Sequence, residues 1–115
     1  MANTVADDVL NQYSDEQKQV LRSEPLNSVG NCNRLRAFTG EDYRYIQETK
    51  QWMRYTSRWH IDYDKQWITN SYINAMEVAL LLATRENNNA LRHFANGCLK
   101  THVIEQDLKL ASKMV

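Results

Sequence analysis

The chain has one proline, three glycines and two cysteines in 115 residues, and its acidic and basic side chains balance at 14 each. Each scarcity removes a class of function. A phosphate-binding loop G-x-x-x-x-G-K-[ST] turns several backbone amides toward one phosphate, and Gly30, Gly40 and Gly97 are too scattered to build one. Dinucleotide fingerprints, G-x-S-x-G elbows and H-E-x-x-H pairs are missing as well, so no catalytic machinery is expected. Cys32 and Cys98 are few and far apart, and no basic region followed by an apolar run marks a secretory leader; a reducing, cytoplasmic setting is expected. The longest apolar stretch, Val78 to Ala83, is far short of the ~20 residues of a membrane span and belongs to a buried helix. A balanced total charge recruits neither nucleic acid nor an anionic membrane by itself.

What remains is the composition of an ordered protein: 43% hydrophobic and 24% charged residues, in a chain the length of one domain. The pattern predicts one mainly α domain over 1–115, a compact helical bundle with a two- to three-stranded antiparallel element inserted near 43–61, and a loosely held stretch over 1–13 in which Val5, Val9 and Leu10 form at most a helical turn. Ser14 and Gln17 read as a capping box for a helix through Arg22 that Pro25 ends. A second helix runs from Asn27 or Ser28 to about Phe38, with Val29, Leu35 and Phe38 inward and Gly40 as its stop. Asp64 is expected to cap a long helix to about Glu86, in which Ile68, Tyr72, Ala75, Ala79 and Leu82 form one stripe. Asn87-Asn88-Asn89 marks a turn, after which Leu91, Phe94, Ala95, Cys98, Leu99 and His102 continue at helical spacing, with Gly97 either tolerated or a break. Ile104, Leu108, Ala111 and Val115 form the last stripe.

Charge is unevenly distributed. Residues 1–30 carry five acids against two bases, whereas residues 31–65 carry seven bases (Arg34, Arg36, Arg44, Lys50, Arg54, Arg58, Lys65) against five acids. The basic stretch coincides with an unusual density of aromatics: Trp52, Trp59 and Trp67 are spaced seven and eight residues apart, with Tyr43, Tyr45 and Tyr55 among them. Bases interleaved with aromatics hold single-stranded nucleic acid through phosphate charge and base stacking. The competing reading makes the tryptophans core and the arginines the solvated opposite face of a small sheet. Strand alternation places Trp52 opposite to Met53 and on the side of Arg54. Cys98 and His102, four apart, invite a zinc site completed by Cys32 or His60, but the apolar stripe around them favours a buried cysteine, and no metal is expected. Asp62 and Asp64 read as complements to a helix dipole, not as paired catalytic carboxylates.

The run Asn33-Arg34-Leu35, Phe38, Gly40-Glu41-Asp42-Tyr43-Arg44-Tyr45, then Trp52, Tyr55, Arg58-Trp59 and Asp62, followed by a long helix, resembles the N-terminal helical domain of poxvirus-type primase-helicases, with relatives in phages and plasmids. The likeness covers about residues 31–114. It departs where the family's Trp-Asp-Gly turn is replaced by Tyr55-Thr56-Ser57. In that family the domain sits between a primase part and a superfamily 3 helicase ATPase and grips template DNA, and sometimes nucleotide. The resemblance therefore implies a non-catalytic module of a phage or plasmid DNA-replication protein, with the ATPase lying beyond these residues, so that priming or unwinding is not expected of this stretch alone. The implied partners are single-stranded DNA or a primer-template, and adjacent primase and helicase domains. No cofactor is expected from the residues, and nucleotide enters through the resemblance alone. The residues assigned to nucleic-acid contact are Arg44, Lys50, Trp52, Arg54, Arg58 and Trp59. The alternative expectation is a structural or protein-interaction domain of viral origin docking on a replisome or host protein.

Overall fold

Ser14 begins the helical framework as the sequence pattern requires: its hydroxyl accepts from the Gln17 N–H at 3.1 Å, and the Gln17 side chain accepts from the Ser14 N–H at 2.9 Å. The computed structural model describes residues 5–114. Among them are six α-helices and one antiparallel sheet: α1 Val5–Leu10, α2 Asp15–Ser23, α3 Ser28–Thr39, β1 Tyr43–Ile46, β2 Gln51–Tyr55, β3 Trp59–Ile61, a 3-10 turn Tyr63–Lys65, α4 Gln66–Arg85, α5 Asn89–Gly97 and α6 Thr101–Met114. The expected helical bundle with an inserted antiparallel element is the architecture found, the element having three strands in the order β1-β2-β3. Of the N-terminal stretch, residues 1–4 lie outside the described residues, as does Val115 of the last stripe; Val5–Leu10 form α1, whose Leu10 is buried and whose Asp7 lies 2.8 Å from Arg85.

The long helix α4 is the spine. Its predicted stripe, Ile68, Tyr72, Ala75, Ala79 and Leu82, is buried throughout and divides between two apolar clusters. One joins α4 to α3, α6 and the inner face of the sheet through Leu35, Tyr43, Trp52, Met76, Leu108 and Ala111. The other joins it to α1, α2 and α5 through Leu10, Leu21, Val78 and Ala95.

Two local expectations are corrected and one open alternative is settled. The cap of α4 is Asp62, not Asp64: the Asp62 carboxylate accepts from the Trp67 and Ile68 N–H groups at 2.8 Å each, whereas Asp64 takes a left-handed conformation (φ 59°) with no capping bond. An acid four residues before the first helical residue reaches the helix's first free amides because the 3-10 turn folds the chain back. Val29 does not face inward; it is 50% exposed, and α3 instead turns Gly30, Asn31, Cys32, Arg34 and Leu35 to the interior. Gly30 dictates that rotation, since a Cβ there would lie 1.9 Å from the Pro25 carbonyl oxygen. Finally, Gly97 ends α5, so the Leu91–His102 pattern is broken: Cys98 is buried at the break and His102 is exposed on α6.

Candidate nucleic-acid interface

The strand register sorts the aromatic-basic segment into two faces. Tyr43 pairs with Arg54, Tyr45 with Trp52 and Arg54 with His60, which places these five side chains on one face. Arg44, Ile46, Gln51, Met53, Tyr55, Trp59 and Ile61 therefore occupy the other. The first face meets the helices. Trp52 is 3% exposed and packs edge-on against Tyr45 at 5.3 Å, and the Tyr43 hydroxyl lies 3.2 Å from the Ser71 hydroxyl on α4. Arg54 extends from this face to the rim of α4, where its guanidinium sits 5.0 Å from the centre of the Trp67 ring, with His60 at the same ring's edge.

Within β1–β3 the outer face carries no acidic side chain; the exposed Asp42 adjoins it, its carbonyl accepting from the Tyr55 N–H at 2.8 Å. Tyr55 (45% exposed) and Trp59 (37%) stand 5.3 Å apart in an edge-on pair, and the exposed Arg44 lays its guanidinium 5.1 Å from the Trp59 ring centre. Arg58, also exposed, lies in the β2–β3 turn, between Tyr55 and Trp59 in sequence. That turn holds Ser57 at φ 65°, the left-handed geometry that glycine adopts without strain.

Of the six residues assigned to contact, Arg44 and Trp59 thus meet at one end of the outer face, with Arg58 in the adjoining turn. Trp52 belongs to the core and presents no ring face to solvent; Arg54 is on the helix-facing side; Lys50 lies in the opposite, β1–β2 turn at φ 55°. Tyr55, counted in the aromatic-basic run but not among the residues assigned to contact, completes the exposed pair. Its signal was available: it is two residues from Met53, hence on the same face, and lies across from Trp59 in any tight hairpin.

The structure also contains a buried polar chain that sequence reasoning did not find. Arg34, counted above among the seven bases of residues 31–65, is 0% exposed and belongs to no basic surface. It donates to the carbonyls of Leu21 (3.1 Å), Pro25 (2.8 Å) and Glu24, and to the Asn31 side-chain oxygen (3.0 Å). Asn31 in turn donates to Asp107 (2.8 Å) and to the Cys98 sulfur (3.2 Å), and the Tyr72 hydroxyl donates to Asp107. Burial pulls the Arg34 pKa down and pushes the Tyr72 hydroxyl and both thiols up, Cys32 to about 11. Protonated thiols inside a network of this kind are structural groups, not nucleophiles. Among the described residues no group of three His, Cys, Asp or Glu side chains is placed to share a metal ion, and Cys98 and His102 do not face one site. No helix among them is long and apolar enough to cross a membrane. Compared with known proteins, the chain matches no family model, no curated protein and no solved structure.

Proposed function

We propose that this chain is a non-catalytic module that holds single-stranded nucleic acid on the outer face of its sheet, in the manner expected of a template-gripping domain of a replication primase-helicase. The observation that supports it most is the Arg44–Trp59–Tyr55 arrangement: two exposed rings and a stacked guanidinium on a sheet face whose strands carry no carboxylate. Exposed aromatics accept unstacked bases of any sequence, and Arg44 with Arg58 supplies the phosphate charge. Trp52, by contrast, acts as the staple that joins sheet to helices.

The test is fluorescence anisotropy with a labelled single-stranded oligonucleotide at several salt concentrations. The expected result is affinity that falls with salt and is lost in Arg44→Ala with Arg58→Ala, but is much less affected by Arg54→Ala. Binding that ignores Arg44 and Arg58 would reject the reading. One observation favours a second: Ile46, Met53 and Ile61 give the same face an apolar half, as a protein-docking surface would have. A partner captured after nuclease treatment and released by Met53→Glu is the outcome expected of that alternative.

A further inference from the structure

A second basic feature lies away from the outer face. β1, β2 and the turn between them, the 3-10 turn and the Glu105–Ser112 stretch of α6 line an open cleft of about 400 Å³ whose wall includes Tyr45, Trp52, Lys50, Lys65, Lys109 and Glu105. Three ammonium groups against one carboxylate make it cationic in a chain whose formal charge is zero. Neither the lysines nor Glu105 take part in an ion pair among the described residues, whose salt bridges join Arg22 to Glu86, Arg36 to Glu41 and Arg85 to Asp7. Three like charges left unneutralised around one concavity repel one another, and an anion between them removes that repulsion. Lys50 and Lys65 also both occupy left-handed backbone positions (φ 55° and 57°), where Asn or Gly is less strained.

Trp52 forms part of the same wall. Its ring is buried, and its indole N–H, which donates to no acceptor among the described residues, is not among the fully buried atoms without a partner and so reaches solvent. Lysines act as point charges that suit phosphate oxygens, whereas a carboxylate is better matched by the planar fork of arginine.

We propose that this cleft binds a phosphate-bearing anion with at least two negative charges, held by Lys50, Lys65 and Lys109 against the edge of Trp52. The phosphate belongs either to a free polyphosphate or phosphate ester or to a nucleic-acid backbone. The cleft lies on the helix side of the sheet, so this site stands whether or not the outer face binds bases.

The experiment is a titration of the ¹⁵N-labelled full chain with inorganic pyrophosphate at low ionic strength, following the three tryptophan indole N–H resonances. The Trp52 resonance is expected to move and that of Trp59 to stay. Lys50→Gln with Lys109→Gln, both exposed, is expected to weaken the response about tenfold, and Lys65→Gln alone to weaken it less. Arg44→Ala with Trp59→Ala should leave it unchanged, which separates this site from the outer face. In that outer-face variant a single-stranded oligonucleotide is the second probe: movement of Trp52 by the oligonucleotide assigns the phosphate to a nucleic-acid backbone, and movement by pyrophosphate alone assigns it to a free phosphate compound. A Trp52 resonance unmoved by millimolar amounts of either probe, or a response that survives loss of both Lys50 and Lys109, overturns the proposal.

Discussion

Replacing Arg34 with methionine isolates what the buried polar chain contributes. Methionine keeps most of the apolar stem and removes the guanidinium, which is 0% exposed and donates to the carbonyls of Leu21, Glu24 and Pro25 and to Asn31. Leu21 lies in the last turn of α2, where carbonyls have no partner within the helix, so Arg34 closes the C-terminal end of one helix from the interior of the next. Each buried acceptor stripped of its donor costs about 1–3 kcal/mol, partly relieved by water entering from the Pro25 loop. Summed over four acceptors with relaxation, the loss is about 4 kcal/mol, a large fraction of the ~5–15 kcal/mol that holds a domain together. At ~2.1 cal/mol/K per residue over 115 residues, that lowers the melting temperature by roughly 15 °C. Thermal and urea unfolding followed by circular dichroism measure it. The control is Arg36→Met on the same helix, an exposed residue whose pairing with Glu41 at 3.2 Å contributes ~0.5 kcal/mol or less. If Arg34→Met unfolds within 1 kcal/mol of the unmodified chain, the reasoning about the network is wrong.

Three further outcomes follow from single features. Asp62→Ala, which removes both capping bonds at the start of α4, should destabilise by about 1–2 kcal/mol in urea unfolding, while Asp64→Ala should change little. Ser57→Gly relieves the left-handed residue of the β2–β3 turn and is expected to raise stability by about 0.5 kcal/mol; a loss of stability would show that the Ser57 side chain matters there. The raised Cys32 pKa makes the folded state prefer the protonated thiol, so stability is intact below the ordinary thiol value of 9.0 and declines as pH rises toward about 11. Cys98 and Tyr72, shifted in the same direction, add to that decline. Urea midpoints measured across this range should fall, and fall less steeply in Cys32→Ala.

Much of the helical frame was legible because its signals are local. The Ser14–Gln17 box, Asn27 and Gly40 at the ends of α3, and the stripe of α4 each depend on residues within a few positions of one another. What escaped depends on pairs far apart in the chain. The inward turn of α3 follows from Gly30 against the Pro25 carbonyl, and no periodicity shows that Arg34 is to be buried against the Leu21 and Pro25 carbonyls or that Asn31 reaches Asp107, 76 positions on. Asp62 was passed over as a cap because its reach depends on a 3-10 turn whose left-handed residues, Asp64 and Lys65, are not types that announce such geometry. The candidate interface was half legible. Strand alternation correctly put Trp52 and Arg54 on one side, but only the pairing with β3 shows that this side is the inner one and that Arg44, Tyr55 and Trp59 share the other.

That division of the aromatics is the claim on which the functional account turns, and photo-crosslinking to a single-stranded oligonucleotide tests it most directly. Ultraviolet irradiation followed by peptide mapping is predicted to place the crosslinks on Tyr55 and Trp59, the exposed pair of the outer face, and none on Trp52. Crosslinks confined to Trp67 or to the helices, or the absence of any crosslink at salt concentrations where the oligonucleotide binds, would contradict it.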